Sequence, residues 1–170
     1  MDFFPIFLDI RNKRCLVVGG GNVAERKTAS LLKSGADVIL VSPELTHNLT
    51  TWRDMGQFSH RARGFEAEDL AGCHLAIAAT DQPEVNQLIS QLADAQRIPV
   101  NVVDQPERCS FILPSVIDRS PVVAAISTGG ASPVLARLIR SRLESLIPAG
   151  YGRRQLCRFF WQACRHDRHQ

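Results

Sequence analysis

Gly19, Gly21 and Ala24 stand in the spacing G-x-G-x-x-A, after the apolar run Cys15-Leu-Val-Val18 and before the helix-forming run Ala24-Glu-Arg-Lys-Thr-Ala-Ser-Leu-Leu-Lys33. Strand, tight turn and helix in that order make a cradle for a pyrophosphate. Glycines give the turn its backbone freedom and let an anion come close. The first helical residues, Asn22 and Val23 among them, turn unbonded N–H groups and the positive end of the helix dipole toward that anion. The pattern predicts a nicotinamide or flavin dinucleotide, and hence redox chemistry. The alternative is a glycine-rich strand–helix turn without a ligand; the position of the motif inside a strand–helix–strand unit, with Val38-Ile-Leu-Val41 following Gly35, argues against it.

The elements that must hold this turn follow a regular alternation. Strands are predicted at 15–18, 38–41, 74–78 and 100–103, with a weaker one near 59–61; helices are predicted at 23–34, about 47–55 and 83–95. The strands are apolar on both faces, which fits a parallel sheet covered on both sides. Such sheets bind ligands beyond the carboxyl ends of their strands. The second end offers Ser42, Pro43 and Glu44, an acidic residue for a ribose standing slightly late; no arginine stands there for a 2′-phosphate, which favours NAD over NADP. The fourth end offers Thr80 and Asp81, where a nicotinamide ribose fits, and the fifth offers Asn101-Val-Val-Asp104. Residues 1–113 therefore read as a doubly wound, Rossmann-like α/β domain.

The rhythm then changes. Residues 111–117 and 121–126 are two β-like runs joined by Asp118-Arg-Ser120, an antiparallel hairpin. The loop Ser127-Thr-Gly-Gly-Ala-Ser-Pro133 follows, with Ser132 as N-cap and Pro133 opening a helix to about Leu146. Hairpin and helix, within 114–148, suit a dimerisation unit; a plain extension of the sheet is the alternative. Residues 149–170 read as a short basic helical tail.

Bulk properties narrow the classes. The chain has 170 residues, 45% of them hydrophobic, and a net charge of only +3, too small to argue for nucleic acid. Eight arginines from Arg137 onward face only Glu144 and Asp167, a basic end for an acidic ligand or simply a solvated tail. Nothing reads as a signal peptide or a membrane span. Five cysteines without a C-x-x-C pair suit a reducing cytoplasm. Cys157, Cys164, His166 and His169 match no zinc spacing, so no metal site is expected.

Five ordered blocks carry a resemblance: Gly19-Gly-Gly-Asn-Val-Ala-Glu-Arg-Lys27, Ala76-Ile-Ala-Ala-Thr-Asp81, Asn101-Val-Val-Asp104, Phe111-Ile-Leu-Pro-Ser115 and Ser127-Thr-Gly-Gly-Ala-Ser-Pro133. With the opening Phe4-Pro-Ile-Phe7, residues 1–148 resemble the precorrin-2 dehydrogenase module of the sirohaem synthase family. The resemblance implies NAD-dependent oxidation of precorrin-2 to sirohydrochlorin, with Fe²⁺ insertion to sirohaem as a second activity of many members. It also implies a homodimer and a uroporphyrinogen methyltransferase partner, whose domain this chain does not include. The helical region after the long helix looks shorter than the family's. Asp104 matches the family's aspartate at the fifth strand end and is the expected general base; on position alone a loop-capping role is equally open. Precorrin-2 carries many carboxylates, so Ser127, Thr128 and the following glycine N–H groups, with Arg119, Arg137 and Arg140, are the candidate substrate partners. The competing readings are a regulatory nucleotide-binding module and a non-catalytic dimer subunit.

Overall fold

The computed structural model describes residues 2–152. The expected tail helix, and the cysteines and histidines from Cys157 onward, lie outside the described residues. The described residues form two compact units, residues 3–112 and residues 113–152.

The larger unit is a five-stranded, wholly parallel sheet in the order β3-β2-β1-β4-β5. Its strands are β1 (Arg14–Val18), β2 (Asp37–Val41), β3 (Ser59–Arg61), β4 (Leu75–Ala78) and β5 (Val100–Val102). The helices between them are α1 (Asn22–Lys33), α2 (His47–Asp54) and α3 (Pro83–Ala95). Alternation along each strand builds two cores. Cys15, Val17, Val38, Leu40 and Ile77 face Ala24 and Leu31 of α1 and Leu49 of α2. Leu16, Val18, Ile39, Val41, Ala76 and Ala78 face Ile89 and Ala93 of α3. Leu16, Leu40 and Ile77 are essentially sealed from water, and burial of each contributes about 1.5–3 kcal/mol. Both faces are covered, which is why these strands read as unbroken apolar runs.

The smaller unit pairs β6 (Ser115–Arg119) with β7 (Val122–Ile126) antiparallel, and α4 (Pro133–Leu146) follows. The hairpin lies outside the parallel sheet, as expected, but two of its predicted limits shift. Residues 111–114 do not pair, because Pro114 has no N–H for a ladder. Asp118 and Arg119 belong to β6, not to the turn; the reversal falls at Ser120-Pro121, where Asp118 Oδ1 accepts from the Ser120 N–H and hydroxyl. Ser132 caps α4 as predicted, its hydroxyl oxygen accepting from Leu135 N at 3.2 Å.

Candidate nucleotide and acid–base site

The glycine turn connects β1 to α1, and each glycine answers a different constraint. Gly19 has φ +121, and a Cβ on it would lie 2.3 Å from the Ala79 carbonyl oxygen. Gly20 presses on the loop after β2: its Cβ would lie 1.8 Å from the Glu44 carbonyl oxygen, and its own carbonyl accepts from Thr46 N at 3.0 Å. Gly21 differs from both, because nothing lies within 4 Å of where its Cβ would stand. It is the N-cap of α1, without a side-chain cap, so the N–H groups at Asn22 and Val23 have no intrahelical partner. An open, uncapped helix start fits the pyrophosphate of a dinucleotide. Ala24 is fully buried and seats the helix against the sheet.

The loop after β2 is braced from two sides. Thr46 caps α2 by accepting from Leu49 N at 3.3 Å, and its hydroxyl donates to Glu25 Oε2 at 2.5 Å. Asn48 donates to the other Glu25 oxygen at 2.8 Å. These two hydrogen bonds, the Thr46 one first, lower the Glu25 pKa. Ser42 Oγ donates to the Glu44 carbonyl at 2.7 Å, and His60 Nε2 donates to the Ser42 carbonyl at 2.9 Å. Pro43 and the Glu44 side chain are left exposed at the strand end. No arginine occupies residues 42–44, but the neighbouring strand β3 places Arg61 beside Val41, the last residue of β2. Arg61 and Arg63 both donate to Asp69, whose side chain is fully buried. Burial pushes the Asp69 carboxyl up, but hydrogen bonds from Arg63, the Glu66 N–H and Arg61 outweigh it and hold it down at about 2.

At the end of β4, Thr80 is tied to α3. Its hydroxyl donates to Asn86 Oδ1 at 2.8 Å, while Asn86 Nδ2 donates to the Thr80 carbonyl at 2.9 Å. At the end of β5 the chain turns sharply at Asp104, an exposed residue with φ +59. Aspartate is among the few non-glycine residues that adopt this left-handed conformation readily. Cys109 staples the same turn: its sulfur accepts from Val102 N at 3.2 Å and lies 3.3 Å from the Gln105 carbonyl, and burial raises its thiol pKa. Lys27, in the second turn of α1, feels both groups. Burial lowers its ammonium pKa, Arg26 adds to that, and Cys109 and Asp104 oppose it.

The residues expected to hold substrate carboxylates all lie in the smaller unit. Ser127 Oγ accepts from Gly129 N at 3.0 Å, and Thr128 Oγ1 accepts from Ser132 N at 3.0 Å while donating to the Ser132 carbonyl. Gly129 and Gly130 have φ +65 and +89. Arg119 is committed to Glu144 at 3.2 Å and the Ile147 carbonyl at 3.3 Å, and Arg140 shares Glu144 at 3.0 Å. Arg137 is exposed on α4, with its Nε on the Pro133 carbonyl at 3.3 Å.

A family model described as NAD(P)-binding matches residues 6–115. The chain belongs to this NAD(P)-binding family. A second model, described as the central part of a sirohaem biosynthesis protein, matches residues 125–146. The chain is 52% identical over 153 residues to a sirohaem synthase of Nitrosococcus oceani, and 55% identical over 157 residues to one of Nitrosospira multiformis. Each match covers 90% of this chain and 33% of the relative, so the chain spans about a third of their length. Among solved structures, SirC, a precorrin-2 dehydrogenase, superposes with a TM-score of 0.79 at 28% identity, over 94% of this chain and 78% of that one. A nicotinamide cofactor follows from the family.

Sequence reasoning missed Gly20, Lys27, Asn86 and the Arg61–Asp69–Arg63 cluster. Gly20 was legible as the middle of three glycines; the others depend on how side chains of separate elements turn toward one another, which spacing along the chain does not report. Among the described residues no helix is long and apolar enough to cross a membrane.

Proposed function

We propose that this chain oxidises precorrin-2 to sirohydrochlorin with NAD as the hydride acceptor. The observation that carries the reading is the open, uncapped start of α1 at Gly21, in a chain that is similar to sirohaem synthases and to a precorrin-2 dehydrogenase. The N–H groups of Asn22 and Val23 hold the pyrophosphate. Pro43 and Glu44 face the adenosine ribose, where the exposed carboxylate of Glu44 accepts from a 2′-hydroxyl and repels a 2′-phosphate. Thr80, fixed by Asn86, borders the nicotinamide ribose. The dinucleotide supplies the acceptor for one hydride from the tetrapyrrole, with its two electrons. The cation left behind loses a proton, and the Asp104 carboxylate takes it, so two hydrogens leave in balance.

Ser127, Thr128 and Arg137 are the proposed partners of the substrate's carboxylates; Arg119 joins them only by leaving Glu144. We extend the proposal to a cytoplasmic homodimer built on the 114–148 segment, to Fe²⁺ as a second substrate that sirohydrochlorin takes up, and to a uroporphyrinogen methyltransferase that supplies precorrin-2. Calorimetric titration tests the cofactor half: one NAD bound per chain is expected, and no heat at millimolar NAD contradicts it.

A further inference from the structure

The ribose end of the proposed nucleotide site is bordered by cations that the fold holds back. Parallel pairing puts Arg61 beside Val41, one residue before the Ser42-Pro43-Glu44 loop. In sheets of this kind that strand end meets the adenosine ribose, and an arginine there accommodates a 2′-phosphate. Here Arg61 and Arg63 turn instead to Asp69. Arg63 binds both Asp69 oxygens at 2.8 Å and reaches Glu66 at 3.2 Å, and Arg61 binds Asp69 Oδ1. The carboxylate is fully buried, whereas the side chains of Arg61 and Arg63 stay 39% and 35% exposed, at the solvent edge. Asp69 is itself fixed at the end of a short 3-10 turn (Ala67–Leu70), where Oδ2 accepts from Glu66 N at 2.9 Å.

We propose that Asp69 is a specificity-determining residue: by drawing Arg61 and Arg63 into ion pairs, it withdraws them from the ribose end of the site and makes the chain discriminate against a 2′-phosphate. The inference rests on the nucleotide reading above and deepens it. Asp69 never touches the dinucleotide; it acts through the position of two guanidiniums. A fork of planar donors freed from its carboxylate is the group best matched to a phosphate monoester. Asp69 stays ionised throughout the neutral range, so the restraint is permanent.

The test titrates the full chain with NAD and with NADP, as wild type and as Asp69→Asn. Asparagine keeps the size and an oxygen for the Glu66 N–H, and removes the charge. The wild type is expected to bind NAD at least about 10-fold more tightly than NADP. Asp69→Asn is expected to bind NADP about 10-fold more tightly than the wild type does, with NAD affinity changed less than about 3-fold. If the wild type binds no NAD, the nucleotide reading falls and this proposal with it. If it binds NAD and Asp69→Asn leaves the NAD/NADP ratio unchanged, only this proposal is overturned. Should Asp69→Asn melt too early to titrate, Arg61→Ser in the wild type decides. Unchanged NADP affinity is the expected result for a guanidinium held back, and a selective loss of NADP affinity shows it already reaching the phosphate and overturns the proposal.

Discussion

Adjacent glycines in one turn answer to different masters. Gly20 is a packing residue: a methyl group there meets the Glu44 carbonyl, so Gly20→Ala is expected to cost roughly 2–4 kcal/mol in chemical denaturation. Gly21 faces open space. Gly21→Asp is expected to leave the melting temperature within a degree or two and to weaken NAD binding about 10-fold or more, roughly 1.4 kcal/mol, because it sets a carboxylate against the pyrophosphate. Equal effects of the two substitutions on stability contradict this division. Asp104 sits on a left-handed turn that asparagine also accepts. Asp104→Asn therefore keeps the fold and NAD binding while sirohydrochlorin formation falls about 10²–10⁴-fold. An Asn variant with most of its activity assigns the proton to water or to a substrate carboxylate. The glycines were legible in the sequence because backbone demands leave a residue-type signature, whereas Asp104 was singled out by its place at a strand end and by the family resemblance, and its left-handed turn was not foreseen. Lys27 was not legible, since its nearness to Asp104 and Cys109 comes from how α1 lies on the sheet.

At the scale of elements, the sequence showed most of the fold. α3 and α4 run as predicted because each begins with proline at its first position and carries apolar residues at helical spacing. Ser132→Ala removes the cap of α4 and is expected to cost about 1 kcal/mol, read by urea denaturation. The strand order is that of the expected Rossmann-like sheet, and it sets Arg61 beside Val41; that Arg61 and Arg63 turn to Asp69 was not visible in the spacing. The Asp69 carboxyl is held at about 2 in the folded chain, below its ordinary value near 3.9. Its contribution to stability is thus complete above about pH 4 and is lost as the pH falls toward 2. Wild type is expected to lose about 2 kcal/mol more than Asp69→Asn across that interval. Parallel pH profiles of the two proteins contradict the ion-pair account.

At the scale of the whole molecule, the hairpin and α4 leave Val116, Val123, Leu135 and Leu138 substantially exposed. An isologous two-fold contact is the commonest way to cover such a surface, so light scattering at micromolar concentration is expected to give twice the chain mass. A stable monomer rules out the homodimer. The change from alternating strands and helices to hairpin and helix was visible in the sequence, but what covers an apolar surface is not written in spacing. The central claim is the oxidation itself, and one measurement meets it directly. The purified chain is mixed with precorrin-2 and NAD without oxygen, and the visible spectrum is followed together with NADH absorbance. The account predicts sirohydrochlorin and NADH rising together, one for one, and nearly no rise with Asp104→Asn. NAD bound with neither product formed contradicts it, and leaves a nucleotide-binding module that does not oxidise precorrin-2.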